Sequence, residues 1–192
     1  MPAPINITFD IAQALKRAGV IIKEAPDQIK RSVSLAIDRS LETFRTTSVR
    51  ETAHKYFVQQ KYVRAHLTLK KSYGGNMNGA VIASSYRRLL SHYKITPSKP
   101  PVKEGTFRGA VKRAGGLKPI PPAFLMPAKT KNGEMLPTIR DKFGDYERLR
   151  TLRSPSVTQL VKNKETVAEA EQKARETFEK RLIHELEHSG EW

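Results

Sequence analysis

Cysteine is absent from this 192-residue chain, which excludes disulfide stapling, thiolate nucleophiles and thiolate metal sites. No run of apolar residues approaches the roughly 18 needed to cross a bilayer. The N-terminal residues lack the positive stretch, apolar run and small-residue cleavage site of an export signal. The reading therefore expects neither membrane spanning nor signal-directed secretion. Apolar residues make up only 38% of the chain, so part of its length is expected outside the core, although 192 residues suffice for one modest domain. Nucleotide-binding glycine series are also missing. Gly74-Gly75 and Gly115-Gly116 lack both the further glycines and the Lys-Ser or Lys-Thr ending that would cradle phosphates, and they read as turns. No serine sits in a nucleophile-elbow pattern. Catalytic residues and cofactors are accordingly not expected.

Acidic residues are scarce: 19 Asp and Glu face 35 Lys and Arg, a formal charge of +16. Such an excess points to DNA, RNA or acidic protein partners without choosing among them. The balance is uneven. Residues 164–192 hold five Lys or Arg against eight Glu, a net of −3 that leaves +19 for the preceding residues. A basic body, 1–163, is thus followed by an acidic, helix-prone segment, 164–192, able to lie against its own body or that of a neighbouring copy.

The expected fold class is α+β, a small mainly antiparallel sheet flanked by N-terminal helices and a long C-terminal helix. Thr8 can cap a short helix carrying Ile11, Leu15 and Ala18, with Gly19 as its stop. From about Pro26, the recurrence of Ile29, Val33, Ile37 and Leu41 every four residues marks a one-faced helix extended by Ile22 and Phe44. Its opposite side presents Lys30, Arg31, Asp38 and Arg39. Thr46, Thr47 and Ser48 interrupt the stripe, and the spacing of Ser48 and Glu51 predicts a new short helix from Val49 toward Tyr56. Gln59 to His66 reads as another helical turn with Tyr62 and Val63 inward, followed by a strand entered at Leu67.

Strands are predicted at Ala80–Ser84, Thr106–Lys112, Leu117–Ile120 and Met135–Ile139, with Pro119 and Pro137 implying edges, bends or strand ends. Pro97–Pro101 reads as an extended connecting loop. Ser154 and Pro155 form a helix entrance before Val157, Leu160 and Val161. Thr166 and Glu169 have capping-box spacing ahead of a stripe of Val167, Ala170, Ala174, Phe178 and Leu182. Glu169/Lys173, Glu171/Arg175 and Glu176/Lys180 are oriented to support that helix, each by roughly 0.2–0.5 kcal/mol.

The candidate site residues are cations. Ser48–Ser72 interleaves basic and apolar residues in a pattern no plain two-faced helix could bury. It contributes Arg50, Lys55, Lys61, Arg64, Lys70 and Lys71, and a second group comprises Lys99, Lys103, Arg108, Lys112, Arg113 and Lys118. If they converge, they form a surface for a polyanion or an acidic partner; otherwise they are solvated or lie at subunit contacts. Among the histidines, His184-Glu185-Leu186-Glu187-His188 has the spacing of a helical zinc-hydrolase motif. A solvated helix end is the favoured reading, with metal binding or a zinc site as the competing ones, since a third ligand would have to come from upstream.

The segment from Val49-Arg50-Glu51 through Tyr56, continuing to Val63-Arg64 and Leu67-Thr68-Leu69-Lys70-Lys71, resembles the lambda-like phage minor tail protein Z family, also described as tail completion proteins. The resemblance continues, in the family's order, at Phe107–Lys112, Ala123-Phe124-Leu125 and Leu152–Gln159. It departs where Ser154 replaces a glycine before Pro155, and it is looser at Tyr86–Tyr93 and Pro97–Pro101. The resemblance implies a non-enzymatic virion component at the head-proximal end of a long tail, present in the host cytoplasm during assembly. It further implies a homo-oligomeric, six-fold ring that meets tail terminator, tail tube and head-tail connector proteins and touches DNA weakly and non-specifically. Arg50, Lys55, Lys61 and Arg64 would then face the channel or a neighbour, with Lys70, Lys71, Lys112 and Arg113 in the same basic surface. Phe124, Leu125, Pro155 and Val157 would belong to the packed framework. A free-standing nucleic-acid-binding protein is the alternative.

Overall fold

Two long helices, distant in sequence and antiparallel in space, organise the molecule. The computed structural model describes residues 3–5, 27–72, 78–99, 105–128, 135–143 and 146–188. Helix α1 is Asp27–Lys55 and α2 is Gln60–Ala65. A short α3, Val157–Val161, precedes α4, Lys164–His188. At 1.5 Å per residue α1 and α4 run about 43 and 37 Å. Ser32 Oγ donates to the Glu185 backbone oxygen at 3.4 Å near one end of the pair, and Lys55 Nζ meets Glu165 at 2.8 Å at the other. The fold is α+β, as its sequence pattern predicts.

The strands are all antiparallel and distribute over several small sheets. Strands β1 (Ala3–Ile5), β3 (Ala80–Ala83) and β2 (Leu67–Lys70) form one in that order. β4 (Arg87–Leu89) pairs with β11 (Arg153–Ser156). β5 (Lys94–Thr96), β6 (Arg108–Ala110) and β7 (Lys118–Pro119) form the third. β8 (Ala123–Pro127), β9 (Met135–Phe143) and β10 (Tyr146–Thr151) form the fourth, with β10 at its edge. Pro119 sits on an edge strand, as expected. Pro137 instead lies in the central strand β9, beside Leu125 of β8 and one residue beyond the last rung to β10. Its oxygen accepts from Leu152 N–H at 2.7 Å. A proline is tolerated there because the Leu152 oxygen, which an N–H at this position would have faced, accepts from Leu90 N–H instead at 3.1 Å.

α1 is buried on two sides. Ile37 and Leu41 face the first sheet, where Gly79 lets the chain approach so closely that an added Cβ would collide with Leu41 Cδ1 and come within 3.2 Å of the Lys70 oxygen. Ser32, Ala36 and Ser40, spaced by four, lie toward α4, whose buried residues Thr166, Ala170, Ala174, Phe178, Leu182 and Leu186 are also spaced by four. The small side chains of the α1 row let the α4 backbone come close, and Phe178, Leu182 and Leu186 fill the space beside that row. Ser40 Oγ satisfies itself by donating to Ala36 O at 2.6 Å, so its burial leaves no orphan group. Phe44 and Phe107, both fully buried, join the helix pair to the strands in one core with Val63, Val81, Leu160 and Val161.

Five boundaries differ from those the sequence pattern predicts. The predicted break at Thr46–Ser48 does not occur, and α1 runs unbroken to Lys55. Thr47 and Ser48 are buried small residues in mid-helix, and Glu51 binds Arg50 rather than closing a capping box. Ser154 and Pro155 belong to strand β11, and the cap of α3 is Ser156. Ser156 Oγ accepts from Gln159 N–H at 3.4 Å while Gln159 Oε1 accepts from Ser156 N–H at 2.9 Å. α4 starts before Thr166, with Asn163 Oδ1 accepting from Glu165 N–H at 3.1 Å. Thr166 is therefore a core position and Val167 only half-buried. Of the three expected pairs on α4, Glu169–Lys173 forms at 2.7 Å, whereas Glu176 accepts from Gln172 at 3.1 Å. Strand Thr106–Lys112 shortens to β6, and β9 extends past Ile139 into a hairpin with β10 that the sequence reading did not identify. The predicted helix of Thr8–Gly19, the Gly74-Gly75 turn and Lys103 lie outside the described residues.

Replacing Gly79 by alanine is expected to destabilise the fold by about 1–3 kcal/mol, because the Leu41 side chain it would strike is itself fully buried. Ser156→Ala should cost about 1 kcal/mol through loss of the cap. Equilibrium denaturation in urea of both variants checks the order: a Gly79→Ala protein as stable as the parent would contradict the close approach.

Candidate polyanion-binding surface

The C-terminal end of α1 gathers four of the predicted cations. A helix C-terminus carries partial negative charge and favours Lys and Arg there, and Lys55 occupies the last turn. The chain leaving β6 then runs back beside it. Phe57 N–H donates to Val111 O at 2.8 Å, Arg113 N–H to Lys55 O at 2.9 Å, and Tyr56 and Lys112 form an isolated bridge. This pairing brings Lys112 and Arg113 beside Lys55. Arg113 also donates through Nε to Ala53 O at 3.2 Å, and its guanidinium lies 4.9 Å from the Phe57 ring centre. Lys94 Nζ is 5.3 Å from the same ring. A half-buried phenylalanine ring thus packs against two cations, each contact worth roughly 0.5–1 kcal/mol at an exposed site.

The acidic helix answers part of this charge within the chain. Glu165 binds Lys55, and Glu169 lies 3.6 Å from Arg50. The hydrogen bond from Lys55 holds the Glu165 carboxyl below its ordinary range, assisted by the charges of Lys55 and Lys112. The hydrogen bond from Lys173 does the same for Glu169, with Arg50 adding to it. Arg50 and Lys55 are therefore fasteners of α4 in this chain as well as surface cations.

The remaining predicted residues separate. Arg64 faces α1 from α2, and Lys61, one turn earlier, is exposed on the same short helix. Lys70 is exposed on β2, and Lys71 lies 3.6 Å from Glu42. Lys118 is exposed on β7, and Arg108 on β6, away from the Lys55 cluster in the pairing order. Of the framework residues, Leu125 and Val157 are core members, and Phe124 is half-buried with the Arg140 guanidinium 5.5 Å from its ring centre. Pro155 is a correction: it lies exposed on β11, because the alternation along that strand turns its neighbours Ser154 and Ser156 inward.

Several residues were not singled out from sequence as site members. Tyr62 and His66 meet as tilted rings with centres 4.2 Å apart, His66 stacks on Tyr86 at 6.0 Å, and Arg88 lies 4.3 Å above Tyr62. His66 Nδ1 donates to Tyr62 O at 2.9 Å. Burial raises the Tyr62 phenol above its ordinary value, helped by Tyr93 and opposed by Arg88. The spacing of Tyr62 and His66 on one helix face is a readable signal; Lys94, Tyr86 and Arg88 arrive only through strand pairing. His184 and His188 stack at 4.2 Å, with His188 Nδ1 donating to His184 O at 3.0 Å. Among the described residues no group of three His, Asp or Glu side chains could hold a metal ion, so the pair offers two ligands at most. No described helix is long and apolar enough to cross a membrane.

No protein-family model matches the chain, and no curated protein or solved structure matches it either.

The lowered carboxyls set a pH dependence. A carboxylate stabilised in the folded state contributes stability above its ordinary value of 4.5 and loses it as pH falls through the lowered folded value. Thermal unfolding of the parent should therefore drop more steeply on acidification below about 4.5 than that of a Glu165→Gln/Glu169→Gln variant. Parallel curves from pH 7 to pH 3 would show that these contacts do not hold α4.

Proposed function

We propose that this chain is a structural tail-completion or neck protein of a phage particle, one copy in a ring at the head-proximal end of the tail. It works there mechanically and electrostatically: it helps join head to tail and lets DNA pass with weak, non-specific contact. Its partners in this reading are further copies of itself, tail terminator and tail tube proteins, and head-tail connector proteins. It performs no catalysis and reaches the virion from the host cytoplasm.

The observation that carries this reading is where the segments of the family resemblance meet. Val49–Tyr56 forms the end of α1, and Phe107–Lys112 pairs beside it. Leu152–Gln159 enters α3, whose Thr158 hydroxyl donates to Ala83 O at 3.1 Å at the end of the first sheet. Val63, Leu67, Phe107, Ala123, Leu125 and Val157 all belong to one core. Segments scattered over more than a hundred residues thus build a single framework, as a resemblance rooted in a shared fold requires. The surface chemistry suits the role. Arg50 and Lys55 are partly neutralised by the chain's own glutamates, which moderates the grip on phosphate, and a strong grip would impede DNA passage.

The charge of +16 also favours a second reading, a free-standing nucleic-acid-binding protein. Native mass and symmetry measurements on particles carrying the chain, with crosslinks from the Arg50–Lys71 region, separate the two. The expected outcome is a symmetric ring that stays with nuclease-treated particles and crosslinks to a copy of itself or to DNA. Particles that keep joined heads and deliver genomes at full efficiency without this chain would sink the tail-completion reading, and salt-sensitive DNA binding by a soluble monomer would favour the second.

A further inference from the structure

Beside the middle of α1 lies a cavity of about 330 Å³ lined by Arg39, Glu42, Thr43, Arg45, Thr46 and Thr47, with Arg64 closing it from α2. Three guanidiniums meet one carboxylate there. Glu42 is already shared, accepting from Arg39 at 3.0 Å and facing Lys71 at 3.6 Å. Glu42 is the one carboxylate of the lining, and among the described residues neither Arg45 nor Arg64 forms an ion pair with it or with any other. Arg45 Nε is moreover buried without a hydrogen-bond acceptor. Arg45 as a whole is half-buried and lines the cavity, so an oxyanion seated there would meet guanidinium charge that the single carboxylate does not balance.

The geometry points to a phosphate-binding site, with Arg45 and Arg64 as its principal donors and Lys71 and Arg39 as flanking charge. A carboxylate offers two oxygens in one plane and suits a single guanidinium fork. A phosphate offers oxygens in tetrahedral directions and can engage donors arriving from two different helices. The cavity is near the lower limit for small-molecule sites, and is roomy for a bare ion. It fits a phosphate carried on something larger, either a phosphodiester of a nucleic acid or a free diphosphate. The inference does not depend on the tail-completion reading, because a chain that never joined a particle would still bind.

The test uses the full chain with ¹⁵N-labelled arginine, following the Nε–H signals while inorganic pyrophosphate or a twelve-nucleotide DNA strand is added. The Arg45 signal should move and saturate with at least one probe. Arg64→Ala should weaken that binding about ten- to hundredfold, the loss expected for a charge-assisted contact, and Arg64→Lys should restore part of it. Arg64 is exposed, so its variant should fold normally, and Lys162→Ala, which removes one charge elsewhere, controls for net charge. Pyrophosphate binding alone would identify a free phosphate compound as ligand; DNA binding that depends on Arg64 would identify the phosphodiester. An Arg45 signal unmoved by either probe, or affinities equally reduced by Lys162→Ala, would overturn the proposal.

Discussion

The close antiparallel packing of α1 and α4 is the contact on which the rest of the molecule depends. α1 touches the first sheet with Ile37 and Leu41 and the terminal helix with its row of small residues, so it is the spine between two layers. Apolar contact dominates toward the C-terminal half of α4, where Phe178, Leu182 and Leu186 are buried. Toward its N-terminal end the pairing turns polar: Glu165 and Glu169 reach Lys55 and Arg50 on the outside, while the buried hydroxyls of Ser48, Thr52 and Thr166 find no hydrogen-bond partner. Area burial thus carries the pair along its length, and exposed charge trims one end.

That arrangement also determines which cations remain for a partner. The acidic helix α4 sets Glu165 and Glu169 against the basic end of α1 instead of standing apart from the body. The field the protein presents is consequently weaker at Arg50 and Lys55 than a count of positive residues suggests. It is stronger where cations outnumber carboxylates, around Arg45 and Arg64 and at the Arg113–Phe57–Lys94 group. Exposed pairs of this kind are worth little individually and are screened by salt, so the helix seam is primarily a hydrophobic structure trimmed by charge.

Much of the helical framework was legible because burial on a helix leaves a period. Ile29 to Leu41 and Ala170 to Leu182 announce their faces directly. Thr46–Ser48 misled for a physical reason: small hydroxylated residues signal helix ends when water is nearby, but they are equally suited to the interior of a tightly packed helix pair. The β9–β10 hairpin left no alternating signature because every residue of Tyr146–Arg150 is exposed. The site was legible by residue type only. Lys55 and Arg50 could be picked out as cations, but the carboxylates that tie them to α4 lie more than a hundred residues away. Arg39 read as part of a solvated helix face and Arg45 was not noticed, since a cavity closed by Arg64 from another helix has no footprint in local sequence.

The order of the elements along the chain has a consequence for biosynthesis. Glu165 is 110 residues from the lysine it binds, so during translation α1 is made early and its covering helix late. Until then the row from Ser32 to Ser40 and the apolar positions beside it have no partner of their own. Contacts so distant in sequence make closure slow and leave nascent surface open to misassociation. Chains of this design thus acquire their stable form only once Lys164–His188 has been made, and any interruption upstream of Lys164 yields a polypeptide with an open spine.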